Sequence, residues 1–230
     1  MRFVYHPDAG VPVLEIGGET YTHIFKARRH DKRAPLTLCN LTDNHLYTYH
    51  IAHLDRNKAR LELVDSAPCD SCVPCGGGRA AHLIWAIVDP KIVEKTLPTL
   101  NELGVSKLTL FFARYSQKPF SPNLSRLHKI LTRSCEQCGR STLLEIEVLP
   151  DLESVLSRYG DCVALEFGGV ELEGANLIEN LRGKSIIIGA EGGFSPDERA
   201  RLPHKVSVAG ELVLRSESAC VFAASVLRLL

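Results

Sequence analysis

The stretch SIIIGAEGGFSPDE, residues 185–198, decides the fold. An apolar run enters Gly189, the triplet Glu191-Gly192-Gly193 follows, and a helix start comes next. Ser195 suits an N-cap, Pro196 suits the first helical position, and Glu198 completes a capping box. The spacing predicts a glycine loop at the carboxyl end of a strand, directly before a helix N-terminus. Open α/β sheets bind ligands at such places, and glycines there let a ligand approach the backbone amides. The same pattern serves a tight strand–helix turn with no ligand. The GxGxxG spacing of dinucleotide folds is absent.

Outward from this loop, the runs HLIWAIVD (82–89), KLTLFFA (107–113), CVALEF (162–167) and KVSVA (205–209) are further strand candidates. The first is a near-continuous apolar run, as in strands buried on both faces. LEIEVL (144–149) is a weaker strand candidate. Helical patterns run from Lys91 to a C′ glycine at Gly104, over 123–140, over 151–159 and over 216–230. Pro98 predicts a kink or interruption in the first of these. Strands alternating with helices give an α/β domain with a mainly parallel sheet over 79–230.

Residues 1–66 read differently. Short alternating runs (RFVYH, PVLEI, LTLCN, LYTYHIAHL, ARLELV) are separated by turn residues, which suggests a small β-barrel. Between the two regions, 67–78 (APCDSCVPCGGG) reads as a Cys/Gly-rich linker.

The 230 residues carry 27 Lys+Arg and 27 Asp+Glu, and 45% are hydrophobic. This balance excludes a disordered chain and argues against indiscriminate coating of nucleic acid. Charge is nevertheless local. Segment 26–33 holds Lys26, Arg28, Arg29, Lys32 and Arg33 against Asp31. Arg126, Lys129, Arg133, Gln137 and Arg140 recur at helical spacing and form one polar, basic stripe. Each patch can contact a phosphate backbone, and each is equally what a solvated face looks like.

Arg215 and Glu217, at the mouth of the last helix, are candidate ligand groups or plain helix-terminus charges. That helix is apolar almost all round and must be core or subunit interface. No run is long and apolar enough for a membrane span, and MRFVYHPDAG lacks a signal-peptide pattern; a cytoplasmic protein is expected. The eight cysteines then read as thiols or metal ligands. Cys69, Cys72 and Cys75 form CxxCxxC, but a fourth zinc ligand would have to come from Cys39 or His82, so no metal is expected.

HIFKARR (23–29), NELGV (101–105), ARYSQ (113–117), EQCGR (136–140), IGAEGGFSPDE (188–198) and LVLRSESA (212–219) follow one another over nearly the whole chain. Together they resemble the 16S ribosomal RNA (uracil-N3) methyltransferases of the SPOUT superfamily. Ala190, Glu211, Ser218 and Ala113 depart from that family's usual Pro, Pro, Thr and Glu.

The resemblance implies an N-terminal PUA-like β-barrel over 1–66 and a C-terminal SPOUT α/β domain with a trefoil knot over 79–230. It implies S-adenosyl-L-methionine as cofactor, held by Leu165, Phe167, Gly168, Gly189, Glu191, Gly192, Gly193, Val208, Gly210, Leu212, Leu214 and Ser218. Arg114 and Arg215 would stabilise an anionic uracil, with Glu217 a possible base. Lys26, Arg28, Arg29, Arg133, Gln137 and Arg140 would meet RNA. The implied partners are 16S ribosomal RNA or the small ribosomal subunit and a second copy of the chain in a homodimer, without a membrane. Two rival readings stay open: a SPOUT enzyme acting on another RNA, and a non-catalytic RNA-binding module.

Overall fold

The computed structural model describes residues 2–69, 81–117 and 121–229, with backbone alone at 174, 175, 177 and 178. Cys72 and Cys75, and most of the 67–78 stretch, lie outside the described residues. The chain divides into two compact units, residues 1–73 with 132–143, and residues 74–131 with 144–230.

The first unit is built on a mixed sheet of five strands: β1 (Val4–Tyr5), β2 (Val13–Gly17), β3 (Leu36–Cys39), β4 (His45–Leu54) and β5 (Lys58–Pro68), in the order β1-β3-β4-β5-β2. β1 pairs parallel with β3, and the other pairs are antiparallel. The expected barrel is therefore an open sheet with β1 and β2 as edges. A two-residue β1 offers too few backbone groups to close it. β5 also runs to Pro68, into the stretch read from sequence as linker.

Alternation places Leu14, Ile16, Leu36, Leu38, Tyr49 and Leu61 in one core. A short helix α1 (Gly18–Tyr21) and a π-helical turn (Thr22–Ala27) add Tyr21 and Ile24 to that core. Neither helical piece was legible in the sequence, where residues 26 and 27 of them read as the start of the basic segment 26–33.

The second unit holds a six-stranded parallel sheet: β6 (His82–Ala86), β7 (Lys107–Phe111), β8 (Glu145–Leu149), β9 (Cys162–Leu172), β10 (Ser185–Ile188) and β11 (His204–Val208). The order is β11-β9-β10-β6-β7-β8. All five residues of β6 are buried, as its apolar run requires. The helices of this unit are α2 (Pro90–Glu102), the first half of α3 (Leu124–Cys138, whose residues from 132 belong to the first unit), α4 (Leu152–Arg158), α5 (Gly174–Leu181), α6 (Pro196–Arg201) and α7 (Ser216–Leu229).

α2 runs through Pro98 without a break, because Val93, Thr96, Leu97 and Leu100 bury one face on both sides of the proline. α5 was missed in the sequence. α7 buries Ala219, Cys220, Ala223, Ala224, Val226 and Leu227 and packs against α2, β6 and β10.

The strand order has a direct consequence for the site. β10 lies between β9 and β6, and β11 lies beyond β9, so three strand ends consecutive in sequence converge. β9 also bulges. Its register against β11 jumps from Ala164↔Lys205 to Val170↔Val206, so Leu165–Gly169 have no partner on β11.

Two glycines permit this bulge. Gly168 has φ +72°, and a Cβ on Gly169 would stand 2.6 Å from the Lys205 carbonyl carbon and the Val206 nitrogen.

Candidate functional site

The bulge of β9, the loop after β10 and the segment after β11 enclose a cleft of about 260 Å³, near the lower end of the roughly 300–1,000 Å³ typical of ligand pockets. Leu165, Glu166 and Phe167 form one wall, Gly189–Phe194 a second, and Ser207, Val208 and Leu212–Leu214 a third.

The glycine loop is held by local and long-range bonds. Gly193 donates its N–H to the Ala190 carbonyl at 2.9 Å with φ +68°. The capping box is present: Glu198 N–H donates to Ser195 Oγ, and Ser195 N–H donates to Glu198 Oε2 at 2.9 Å. Phe194 is buried beneath the loop, and a Cβ on Gly189 would come within 3.1 Å of its ring.

From the sheet interior, Trp85 Nε1 donates to Ser216 Oγ at 2.7 Å, and Ser216 Oγ donates to the Gly189 carbonyl at 2.5 Å. This relay ties β6, the start of α7 and the loop together. The end of β7 is tied in by the Arg114 N–H, which donates to Glu198 Oε1 at 2.8 Å, and by Gln117 Nε2, which donates to Glu191 Oε1 at 3.4 Å.

Of the residues expected to hold the cofactor, Leu165, Phe167, Gly189, Glu191, Gly192, Gly193, Val208, Leu212 and Leu214 meet in this cleft. Gly168, Gly210 and Ser218 do not line it. Gly168 instead turns the bulge, Gly210 takes φ +104° after β11, and Ser218 is exposed on α7. Ala190 and Val213, inside the expected loops, also line it, whereas the sequence missed Glu166, Ile188, Phe194, Arg199, Ser207, Ser216 and Ala219 as lining residues.

Arg114, Arg215 and Glu217 do not line the cleft either. Both arginines are exposed and have no carboxylate within ion-pair distance among the described residues. Glu217 is half-buried in the first turn of α7. It faces Cys220, whose thiol is pushed well above its usual range, mainly by burial and then by this carboxylate.

The expected RNA-facing residues divide. Lys26, Arg29, Arg133 and Gln137 are exposed, and Arg140 is half-buried. Lys26 lies over the Tyr21 ring. Arg28 is engaged internally: its Nη2 pairs with Glu136 Oε2 at 3.0 Å, and Glu136 Oε1 accepts the Tyr5 N–H at 2.9 Å. On α3, Arg126 pairs with Glu94, so the basic stripe is shorter than its spacing suggested.

No group of three or more His, Cys, Asp or Glu with metal-site geometry occurs among the described residues. His82 bonds Ser185 Oγ at 2.7 Å and Thr109 Oγ1 at 2.9 Å. Cys39 Sγ is buried against the Ser141 carbonyl. No described helix is long and apolar enough to cross a membrane.

A family model described as an RNA methyltransferase domain matches residues 78–228. The chain is 43% identical over 231 residues to a protein of Helicobacter pylori named ribosomal RNA small subunit methyltransferase E, covering 98% of this chain and 99% of that one. Among solved structures, one from Legionella pneumophila in complex with the bound cofactor SAM superposes with TM-score 0.80 at 22% identity, covering 98% and 96% of the two chains. A ribosomal RNA small subunit methyltransferase E from Neisseria gonorrhoeae, bound to S-adenosyl methionine, superposes with TM-score 0.76 at 20% identity, covering 98% and 95%. These two likenesses are of fold.

Proposed function

The chain belongs to the RNA methyltransferase domain family, and on that premise we propose that it uses S-adenosylmethionine to methylate N3 of one uridine in 16S ribosomal RNA. The observation that carries this reading is the glycine-walled cleft where β9 bulges and β10 and β11 end, in a chain 43% identical over its length to a named small-subunit rRNA methyltransferase.

The cleft fits the cofactor. Gly189, Gly192 and Gly193 expose backbone on one wall, while Leu165, Val208, Leu212 and Leu214 give apolar surface for an adenine ring. The cofactor, when bound, supplies an electrophilic methyl on a sulfonium.

The protein's part is alignment and charge control. The relay from Trp85 through Ser216 to Gly189 holds the loop in one position. Uridine N3 must lose a proton to become nucleophilic. The exposed guanidinium groups of Arg114 and Arg215, without a carboxylate partner among the described residues, are suited to steady the uracil anion. Glu217 is the carboxylate nearest in sequence to Arg215 and is the candidate base.

Lys26, Arg29, Arg133, Gln137 and Arg140 would take phosphates, while Arg28 is committed to Glu136. The trefoil knot, a PUA-like role for residues 1–66, the methyltransferase role of 79–230 and a cytoplasmic site of action belong to the same proposal. So does a homodimer, supported by the exposed apolar side chains of Phe167, Leu212 and Val213 at the cleft rim.

Mapping of methylated nucleotides in ribosomal RNA from cells with and without this protein tests the reading. We expect a single N3-methyluridine to vanish from the small-subunit RNA in its absence. An unchanged map in that RNA, with a change elsewhere, would move the substrate to another RNA.

A further inference from the structure

Glu166 sits in the bulge of β9 with its side chain only 5% exposed, on the wall of the cleft. One oxygen is held twice: Oε1 accepts the Phe167 N–H at 3.1 Å and pairs with Arg199 Nη2 at 3.2 Å. The other oxygen, Oε2, receives no bond from any described residue. Every fully buried side-chain oxygen among the described residues has a partner, so Oε2 is one the cleft leaves reachable.

A carboxylate oxygen left open in a largely apolar wall is costly unless a donor arrives. The other polar side chains of the cleft are bonded within the protein, and Glu191, unlike Glu166, is exposed to water. Ser207 Oγ donates to the Gly169 carbonyl, Ser216 Oγ donates to the Gly189 carbonyl, and Glu191 accepts from Gln117.

We propose that Glu166 Oε2 is the cleft's acceptor for a hydrogen-bond donor on the adenosyl cofactor, carried either by its α-ammonium or by its ribose hydroxyls. This rests on the cofactor reading above and adds to it the residue that selects a donor-bearing ligand. Arg199 is the positioning residue, because it fixes the carboxylate through the other oxygen.

The test is calorimetry of the whole chain with S-adenosylhomocysteine and two analogues. One is 5′-methylthioadenosine, which lacks the amino-acid end, and the other is the 2′,3′-dideoxyribose form of S-adenosylhomocysteine. Glu166→Gln keeps an acceptor for Phe167 and Arg199 and presents an amide N–H₂ where Oε2 stood.

The expected result is a tenfold or greater loss of affinity for S-adenosylhomocysteine, as for a lost charged hydrogen bond, with thermal stability unchanged. The loss disappears with whichever analogue lacks the contacted donor, and that analogue identifies the donor. An equal loss with all three ligands marks a purely structural residue and overturns the proposal, as does unchanged affinity for S-adenosylhomocysteine. If the wild-type chain binds none of the three ligands, the cofactor reading itself falls, which separates the two failures.

Discussion

Removal of one hydroxyl, in Ser216→Ala, tests the framework of the cleft. Ser216 Oγ is the only described partner of the Trp85 indole N–H, which is buried in β6, and it also bonds the Gly189 carbonyl. Alanine leaves a fully buried donor unpaired and frees the loop carbonyl. Each buried unsatisfied group costs about 1–3 kcal/mol, and the carbonyl, at a half-buried residue, falls at the lower end. The sum is about 3 kcal/mol, which lowers Tm by roughly 6–12 °C for a chain of this size.

Trp85 is the only tryptophan of the chain, so its fluorescence reports unfolding of this sheet directly. In a Trp85→Phe background the indole donor no longer exists, and the second substitution should cost only about 1 kcal/mol. The difference, about 2 kcal/mol, is the coupling of the pair, read by circular dichroism in all four proteins. A Ser216→Ala chain within about 0.5 kcal/mol of wild type, the usual scatter of a neutral surface change, would refute the relay. So would an equal effect of the serine change in both backgrounds.

Other residues give sharp expectations. Burial, and then the Lys107 ammonium, hold His82 down to a pKa of about 4, so it folds neutral. Its contribution is whole above pH 6.5 and is lost as pH falls from there toward 4, by about 3 kcal/mol. Urea midpoints across that range should fall in wild type and flatten in His82→Gln, and identical slopes would contradict this.

Gly169→Ala should lower Tm markedly, since its Cβ would meet the Lys205–Val206 backbone at 2.6 Å. A thermal melt matching wild type would show that β11 can move aside.

Arg28→Ala takes the guanidinium from Glu136, whose side chain is 7% exposed, leaving it the Tyr5 N–H and the more distant His23, and should cost roughly 2 kcal/mol in stability. Lys26→Ala should leave stability alone and reduce the salt slope of RNA binding by about 1. Denaturation and filter binding over a salt series distinguish the two, and a reversed pattern would reassign both residues.

What the sequence disclosed follows the range of the forces involved. The Ser195–Pro196–Glu198 capping box was legible because all its partners lie within four residues. The parallel sheet was legible because apolar strands alternated with helices. Other features depend on distant partners. Arg28 read as a phosphate contact until Glu136, 108 positions away, claimed it.

The sequence read a strand over 162–167, yet β9 continues to Leu172 because β11 resumes pairing beyond the bulge. Glu166, Arg199, Ser207 and Ser216 reach the cleft only through the strand order, which no local pattern encodes. The zero net charge likewise concealed an uneven surface, since Lys26, Arg29, Lys32 and Arg33 are all exposed while Arg28 is paired.

The most direct test incubates the purified chain with S-adenosylmethionine and unmethylated small-subunit ribosomal RNA, free or in subunits. Nucleoside mass spectrometry then identifies the methylated position. The prediction is one N3-methyluridine per RNA molecule, with Arg114→Ala and Arg215→Ala slowing its formation. A methyl group on any other atom, or none on either form of the RNA, would contradict it.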